Sequence, residues 1–432
     1  MLNKTICYMS YLVLFSILGL DVFLLYKYAY DVPFWDTWDL LPNGSYSHLF
    51  DFYNENMQFF YFIISEIVYK TLNWNLRYFN FICFGVYLII IFIYWKILKY
   101  ADVDKKICFY PLCLSVLLTP MLGYNWLWVF LVQTHTFILF FLLAIYLGFI
   151  KDSSKYSPYL FSISLFLSVI SMNIPLAIGA LLAYIIKEFI NAGNKITIYV
   201  LKKYSIVFGV LLILFVILSF LTTPLRFIEV KMSNAVMDYD YIKHLSFYIV
   251  NCLSVFSLAK VLGEKVCLIW FVIHFVILAT VFFEQYKNKR IQPLWAILFG
   301  VLFCVCGVVA FRGAEVYFYD MSYIRHNETA FIMLPATLMI LMLSKYKISK
   351  FYGITLLCLM LYGITADIKA KRFQFFGELF YKNGCVCLNH YWNLKTIDKW
   401  HCTMNFPIPH GTGYAKGKEL NLSFIETIKK CR

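Results

Sequence analysis

The sequence predicts an all-α integral membrane protein with about eleven transmembrane helices and interfacial helices in its external loops. Of the 432 residues, 62% are apolar and only 14% are charged, which leaves too little polar surface to cover a water-soluble globule. Apolar runs of roughly 17 to 25 residues recur along the chain, and each is long enough to cross a hydrocarbon core of about 30 Å as a helix. A bilayer is therefore the solvent for most of this chain.

These runs define the predicted crossings. They cover residues 7–27, 78–98, 108–123, 127–150, 159–173, 175–190, 205–222, 265–283, 292–311, 328–344 and 349–366. The first run has no small-residue cleavage site, so we expect a retained helix rather than a signal peptide. Because no flexible linker separates two folded units, residues 1–366 are predicted to form one transmembrane domain and residues 367–432 a small extracytoplasmic tail.

The basic residues indicate the orientation of the chain. The net charge is +14, but the lysines lie in short loops rather than in one patch, which argues against nucleic acid as a partner. The loops in question carry Lys99, Lys105, Lys106, Lys151, Lys155, Lys187, Lys195, Lys202, Lys203, Lys287, Lys289, Arg290, Lys345, Lys347 and Lys350. The positive-inside rule places them in the cytoplasm. The N-terminus is then cytoplasmic and the C-terminus periplasmic.

Two external segments are longer than a turn between helices requires. In the first, residues 56–74 read as an apolar and aromatic helix that carries Glu66 and Lys70 four positions apart. We expect this helix to lie along the membrane interface. In the third external segment, Leu245 to Leu262 is predicted to form a second interfacial or re-entrant helix, because a full crossing would invert the lysine loops that follow.

Candidate catalytic residues cluster directly after the first helix. The segment DVPFWDTWDLLP, residues 31–42, interleaves Asp31, Asp36 and Asp39 with Phe34, Trp35 and Trp38. Aromatic rings stack on sugar faces while a carboxylate takes a hydroxyl proton, so the segment suits sugar chemistry. An aromatic belt with solvated acids is the alternative. Glu55, between Asn54 and Asn56, adds an acid that would otherwise belong to a helix cap.

Polar residues also occur at the predicted external end of the fourth helix. Asn125, Gln133 and His135 lie on a largely apolar helix beside Trp126. Polar side chains in spanning helices face the bundle interior or a water-filled cavity. Either a substrate-lining role or hydrogen bonding between helices accounts for them.

The last external loop carries an unusual number of charges for a segment outside the cytoplasm. They are Arg312, Glu315, Asp320, Arg325, His326 and Glu328. Arg325 stands at the start of a predicted helix, where a guanidinium and backbone N–H groups together suit a phosphate. A salt bridge from Arg325 to Glu315 or Asp320 is the alternative.

In this order, the clusters resemble the motifs of bacterial GT-C-type membrane glycosyltransferases that use polyprenyl-phosphate sugars, in particular the phage-type glucosyltransferases of O-antigen serotype conversion. The family pattern has PFWDEWDLLP after the first helix, NEHR-F-P before the second, NWLWGFQ-Q at the fourth and an SRY-like stretch before a late helix. The matching positions are residues 33–42, 54–60, 125–133 and 322–325. The chain departs from the pattern at Thr37, Asn56, Met57, Val129 and Ile324.

The resemblance implies an inverting hexosyltransferase that moves glucose from undecaprenyl phosphate to lipopolysaccharide O-antigen or another surface glycan at the periplasmic face. Asp36 would be the base, and Asp39 and Glu55 would hold sugar hydroxyls or orient it. The implied donor-phosphate and substrate residues are Arg325, Arg312, His326, Gln133, Asn125, Trp126, Trp35 and Trp38. A divalent cation near the acids is compatible with this chemistry, although no ligand spacing indicates a metal site.

The resemblance further implies a lipid-linked-sugar synthase and a flippase as functional partners, and the bacterial inner membrane as the location. Two other functions stay open. An O-antigen polymerase would share the length and composition, whereas a lipid-linked sugar flippase or transporter would place ionisable residues near mid-helix. Asp21 is the residue that fits the transporter pattern.

The lysine loops yield a direct test of orientation. A reporter that is active only outside the cytoplasm should be active when fused after Ser45, Ser246 or Lys416. It should be inactive after Ser154 or Lys289, since these fusion points lie in or beside basic loops. Reporter activity at Ser154 would overturn the predicted map.

Overall fold

A computed structural model of the chain shows an all-helical protein with one short β-ladder. It describes residues 2–33, 37, 40–42, 44, 49, 52–53, 56–102, 109–119, 122–171, 174–195, 197–221, 241–254, 259–312, 324–379, 381 and 418–429. Strands β1 (Phe52–Tyr53) and β2 (Asn56–Met57) pair antiparallel, with Phe52 opposite Met57.

The described helices account for most of the residues that the structure describes. In chain order they are α1 (Leu2–Tyr28), α2 (Phe59–Leu72), α3 (Leu76–Ala101), α4 (Tyr110–Ser115), α5 (Gly123–Leu127), α6 (Val132–Ile145), α7 (Ser157–Ile170), α8 (Ile174–Asn191), α9 (Ile198–Leu221), α10 (Tyr241–Leu253), α11 (Ala259–Gln285), α12 (Gln292–Arg312), α13 (Ile324–Phe331), α14 (Met333–Leu343), α15 (Lys347–Lys369) and α16 (Phe424–Lys429). A 3₁₀ turn (Val116–Leu118) follows α4, another (Val129–Leu131) precedes α6, and a π-helical turn (Tyr146–Ile150) ends α6.

Eight helices in the described part of the chain are long and apolar enough to cross a bilayer. They are Thr5–Tyr28, Leu76–Ala101, Val129–Ile150, Ile174–Asn191, Ile198–Leu218, Leu262–Gln285, Gln292–Ala310 and Lys347–Lys369. Ser157–Ile170 and Glu328–Leu343 are apolar but shorter. The prediction of an all-α, multi-pass membrane protein is confirmed, whereas the count of about eleven crossings is not.

The run at 108–123, predicted as one helix, is interrupted. The chain passes from α4 through a 3₁₀ turn and leaves helical geometry at Thr119, whose ψ is 131°. Pro120 follows in the sequence, and a residue before proline is driven to extended backbone by the proline ring. The Tyr87 hydroxyl donates to the Leu117 carbonyl at 2.7 Å, which gives this carbonyl near the break a partner.

The predicted helix at 328–344 is also divided, between α13 and α14. Pro335 has no N–H to offer the preceding turn. The hydroxyl of Tyr94 enters the gap, donating to the Ile332 carbonyl at 2.6 Å and accepting from the Ala336 amide at 2.9 Å. A side-chain hydroxyl thus replaces one helical hydrogen bond, in a setting where no water serves the backbone.

Asp31 and the turn between α2 and α3 form one end of the bundle. Helix α2 stops at Asn73, which adopts the left-handed conformation with φ of 51°. Asp31 Oδ1 accepts from the Leu76 amide at 2.8 Å and so caps the start of α3. Burial raises the pKa of the Asp31 carboxyl, and this hydrogen bond opposes the shift. Asp31 is therefore engaged in holding two helices together.

The described part of the tail packs against that same end. The Asn73 side-chain amide donates to the Asn421 carbonyl at 2.8 Å, and the Ser423 amide donates to the Asn73 carbonyl at 3.1 Å. Phe424 is fully buried and contacts Trp74 edge-on, with ring centroids 5.8 Å apart. We call this end, defined by Asp31, α2, Asn73–Leu76 and residues 418–429, the site end.

Basic loops gather at the opposite end, which we call the lysine end. It comprises residues 151–155, 187–203, 284–292 and 344–350. Lys187 Nζ lies 3.1 Å from Asp152, and Lys203 lies 2.9 Å from Glu188. Glu284 accepts from the Lys345 amide at 2.7 Å. These contacts join loops that the sequence assigns to one side of the membrane.

Helices α8 and α12 approach each other most closely at two glycines. A Cβ built on Gly179 would lie 2.5 Å from the Gly300 Cα and 3.2 Å from the Phe299 carbonyl oxygen. Membrane helices pack tightly where small residues let their backbones meet. The obstacle at Gly179 is main chain, which cannot rotate aside.

Replacing Gly179 by alanine should lower the free energy of unfolding by about 1–3 kcal/mol, the usual cost of overpacking. Denaturation of the purified protein in detergent, followed by tryptophan fluorescence, measures this change. Gly85→Ala is the control, because a Cβ at Gly85 meets nothing within 4 Å. It should be neutral or stabilise by up to about 1 kcal/mol. Equal stability of the two variants would contradict the proposed close contact.

Candidate functional site

A buried carboxylate lies at the centre of the polar contacts near the site end. Glu328 in α13 is inaccessible to solvent. Its Oε2 accepts from Asn125 Nδ2 at 2.9 Å, and its Oε1 lies 3.0 Å from His135 Nε2. The latter is a close electrostatic contact without hydrogen-bond alignment. Glu328 therefore joins α13 to both α5 and α6.

Aromatic rings enclose this polar group. The Tyr87 ring lies 5.4 Å from the His135 ring and 5.5 Å from the Trp126 ring. Phe84 contacts Trp126 edge-on at 5.0 Å, and Phe373 lies at 6.2 Å on another side. Apolar walls strengthen electrostatic interactions by excluding water. The Glu328 carboxyl group thus lies in a low-dielectric environment.

Several polar atoms here have no hydrogen-bond partner among the described residues. They are Asn125 Oδ1, Trp126 Nε1, His135 Nδ1 and both carboxylate oxygens of Asp21. Asp21 and Glu328 are both near enough to act electrostatically on the Tyr87 hydroxyl. Buried polar atoms are nearly always paired, so a concentration of unpaired ones marks a site of chemistry or of strain.

A second set of contacts leads from this group toward the acidic segment. Gln133 Oε1 accepts from the Tyr61 amide at 3.1 Å, at the start of α2. The Tyr61 hydroxyl in turn donates to the Leu40 carbonyl at 3.1 Å. Gln133 thus connects α6 to α2, and Tyr61 connects α2 to the stretch that follows α1.

The contacts of Glu328, Gln133 and Tyr61 involve residues within or just after the four motif-like stretches, which are residues 33–42, 54–60, 125–133 and 322–325. Leu40 belongs to the first stretch, Tyr61 directly follows the second, Asn125 and Gln133 lie in the third, and Glu328 lies three residues after the fourth. The pairs are separated by 21, 72 and 203 residues. Residues within or just after the four stretches therefore form two sets of contacts, Leu40–Tyr61–Gln133 and Asn125–Glu328, and the third stretch takes part in both.

The structure places three of the predicted substrate residues inside the protein. Asn125, Trp126 and Gln133 are at most 1% exposed. Asn125 and Gln133 are hydrogen-bonded to other helices, as the helix-to-helix alternative anticipates. Trp126 would meet a sugar only after the surrounding rings moved. A direct substrate role for these residues stays a prediction.

The other predicted site residues fall where the structure gives less detail. Asp36, Asp39, Glu55, Trp35 and Trp38 lie outside the described residues. For Arg312, Arg325 and His326 only the backbone is described: Arg312 ends α12, and Arg325 and His326 lie in the first turn of α13. The structure describes Pro33 and Leu40, the residues on either side of the acidic segment.

Sequence reasoning missed the importance of Glu328 and Tyr87. Glu328 was visible only as one of six charges in the last external loop, and Tyr87 is one of 34 tyrosines. Within the described residues, no group of three or more His, Cys, Asp or Glu side chains has an arrangement that would hold a metal ion. The side chains in contact with the Glu328 carboxyl group are one imidazole and one amide.

Comparisons with family models, with curated proteins and with solved structures give no match for this chain. The site is therefore interpreted from its own geometry.

Replacing Glu328 by alanine should destabilise the protein strongly, because Asn125 and His135 would both lose a buried partner. We expect a loss of about 3–5 kcal/mol in the free energy of unfolding, measured by denaturation in detergent. Glu328→Gln keeps an acceptor for Asn125 and should lose less. The control Glu264→Gln removes an exposed carboxylate paired to Lys243 and should change stability by at most about 1 kcal/mol. A wild-type melting curve for Glu328→Ala would show that the buried contacts contribute nothing.

Proposed function

We propose that the protein is an inverting membrane glycosyltransferase. It moves a hexose, which the resemblance described above implies to be glucose, from undecaprenyl phosphate to O-antigen or another surface glycan. Contacts of residues within or just after the four family-like stretches support this proposal, since hydrogen bonds join residues 40, 61 and 133 in one set and residues 125 and 328 in another. Residues 125 and 133 belong to the same stretch, so both sets lead to one part of the chain.

In the proposed reaction, Asp36 takes the proton of an acceptor hydroxyl as the hydroxyl oxygen attacks the anomeric carbon. The bond from that carbon to the phosphate oxygen breaks in the same displacement, which inverts the configuration. The leaving polyprenyl phosphate needs charge stabilisation rather than a proton. Arg325 would supply it, with Arg312 and His326 nearby in the sequence of the same loop.

The described residues fit a supporting role in this reaction. Glu328 is held by Asn125 and His135 three residues after Arg325, which fixes the helix that carries the arginine. Tyr61 fixes the backbone at Leu40, one residue after Asp39. Rigid neighbours of this kind hold a general base and a phosphate ligand at a constant separation.

The proposed setting follows from the charges at the two ends. The lysine end would face the cytoplasm and the site end the periplasm of a bacterial inner membrane. The donor would reach the outer leaflet from a lipid-linked-sugar synthase through a flippase. Asp39 and Glu55 would orient the base or hold sugar hydroxyls, and Trp35 and Trp38 would stack on the sugar.

Asp36→Asn tests the proposed base. The change keeps size and hydrogen-bonding shape but removes basicity, so transfer should fall by about 100- to 10,000-fold. The measurement is transfer of radiolabelled hexose from polyprenyl phosphate to glycan by purified protein at matched concentrations. Asp39→Asn and Glu55→Gln should show smaller losses if they only position sugar.

The control for this series is again Glu264→Gln, an exposed carboxylate outside the convergent region, which should transfer hexose at the wild-type rate. Retention of more than about a tenth of wild-type turnover by Asp36→Asn would exclude it as the base. Linkage analysis of the surface polysaccharide, with and without the gene, separates the rival functions. A missing side-branch hexose supports a transferase, whereas altered chain length supports a polymerase.

A further inference from the structure

An open groove with aromatic walls lies at the lysine end, which is opposite the site end. Its empty space, counted together with the adjoining space that is open to the outside, is about 330 Å³, and helices α8, α11 and α12 form its sides together with the end of the π-helical turn. Five rings line it: Phe149, Phe282, Tyr286, Trp295 and Phe299. An aromatic lining of this kind, on helices that are long and apolar enough to span a bilayer, suits contact with hydrocarbon.

The one charged residue in the groove wall is already satisfied. Lys187 Nζ donates to the Gly148 carbonyl at 2.7 Å and to Glu188 at 2.8 Å, and lies 3.1 Å from Asp152. An ammonium group has three donors, so Lys187 has none left for a ligand. Its role is to fix the end of α8, and the groove is apolar in character.

A basic loop follows directly from the groove. Tyr286 and Gln292 both line the groove, and the residues between them include Lys287, Lys289 and Arg290, all exposed. These three form no ion pair with any residue in the described ranges. The nearest acid in the sequence, Glu284, accepts instead from Ser344 Oγ at 2.6 Å and the Lys345 amide at 2.7 Å.

One polar atom in the groove wall lacks a partner as well. Trp295 is 5% exposed, and its indole Nε1 has no hydrogen-bond acceptor among the described residues. Tryptophan at a membrane interface commonly combines an apolar ring contact with one hydrogen bond to a polar group. The groove therefore offers aromatic rings and, at its mouth, three exposed cations without an ion pair among the described residues; one of them, Lys287, lies 5.5 Å from the centroid of the Tyr286 ring.

We propose that this groove holds one acyl chain of an anionic phospholipid from the leaflet at the lysine end, with the lipid phosphate on Lys287, Lys289 and Arg290. Basic residues beside a cleft between transmembrane helices attract anionic head groups, and apolar walls accept the chain. The charge at the mouth selects an anionic lipid over a zwitterionic one. Such a lipid would bind whether or not the protein transfers sugars.

The test measures binding of radiolabelled phosphatidylglycerol to the purified full-length protein in detergent. We expect saturable binding, with phosphatidylcholine of the same chains at least about ten-fold weaker, since it lacks net charge. Glycerol 3-phosphate, the head group without chains, should not compete. Replacing Lys287, Lys289 and Arg290 together by glutamine should weaken phosphatidylglycerol binding by about 10- to 100-fold.

The matched control replaces Lys345, Lys347 and Lys350 by glutamine, which removes the same charge from the neighbouring exposed loop. It should weaken binding by no more than about three-fold if the site is local. Ala183→Phe, which fills the groove, should weaken both phospholipids alike. Equal losses in the two triple variants, or equal affinity for the two lipids, would overturn the proposal, as would competition by glycerol 3-phosphate.

Discussion

Two tyrosine hydroxyls on one face of α3 supply hydrogen bonds at two helix interruptions, one after Leu118 and one at Ile332. Tyr87 donates to Leu117 and Tyr94 donates to Ile332 while accepting from Ala336. The two tyrosines are seven residues apart, so they lie on the same side of the helix. An unpaired backbone N–H or C=O group inside a bilayer is strongly unfavourable in free energy. Each interruption is therefore stabilised by the tyrosine hydroxyl that pairs with its backbone. Helix α3 therefore supplies hydrogen-bond partners at two breaks that occur next to Pro120 and Pro335 in the sequence.

The polar centre lies close in the sequence to these two interruptions. Asn125 lies in α5, after the break at Thr119, and its side chain meets Glu328 of α13. His135 approaches the same carboxyl group from α6. One buried carboxyl group thereby contacts two other helices.

The sequence predicts the long apolar helices because their signal is local and repeated. The interruptions were less visible: Pro120 and Pro335 lie inside apolar runs whose hydropathy outweighs a single residue. The polar residues Asn125, Gln133 and His135 stood out against their apolar surroundings, but their partners did not. Glu328 is 203 residues from Asn125, and Asn73 is 348 residues from Asn421. Contacts at such separations depend on how helices pack, which composition and periodicity do not encode.

The depth of the buried ionisable residues bears on the transporter alternative. Asp21 lies seven residues before the end of α1, which corresponds to about 10 Å along a helix. His135 occurs in the first turn of α6, and Glu328 lies near the middle of the short α13. These residues thus occupy the part of the bundle toward the site end, whereas alternating access places its binding residues near the midplane between two repeats. A polar centre toward the site end is compatible with the proposed reaction, in which both reactants would approach from that end.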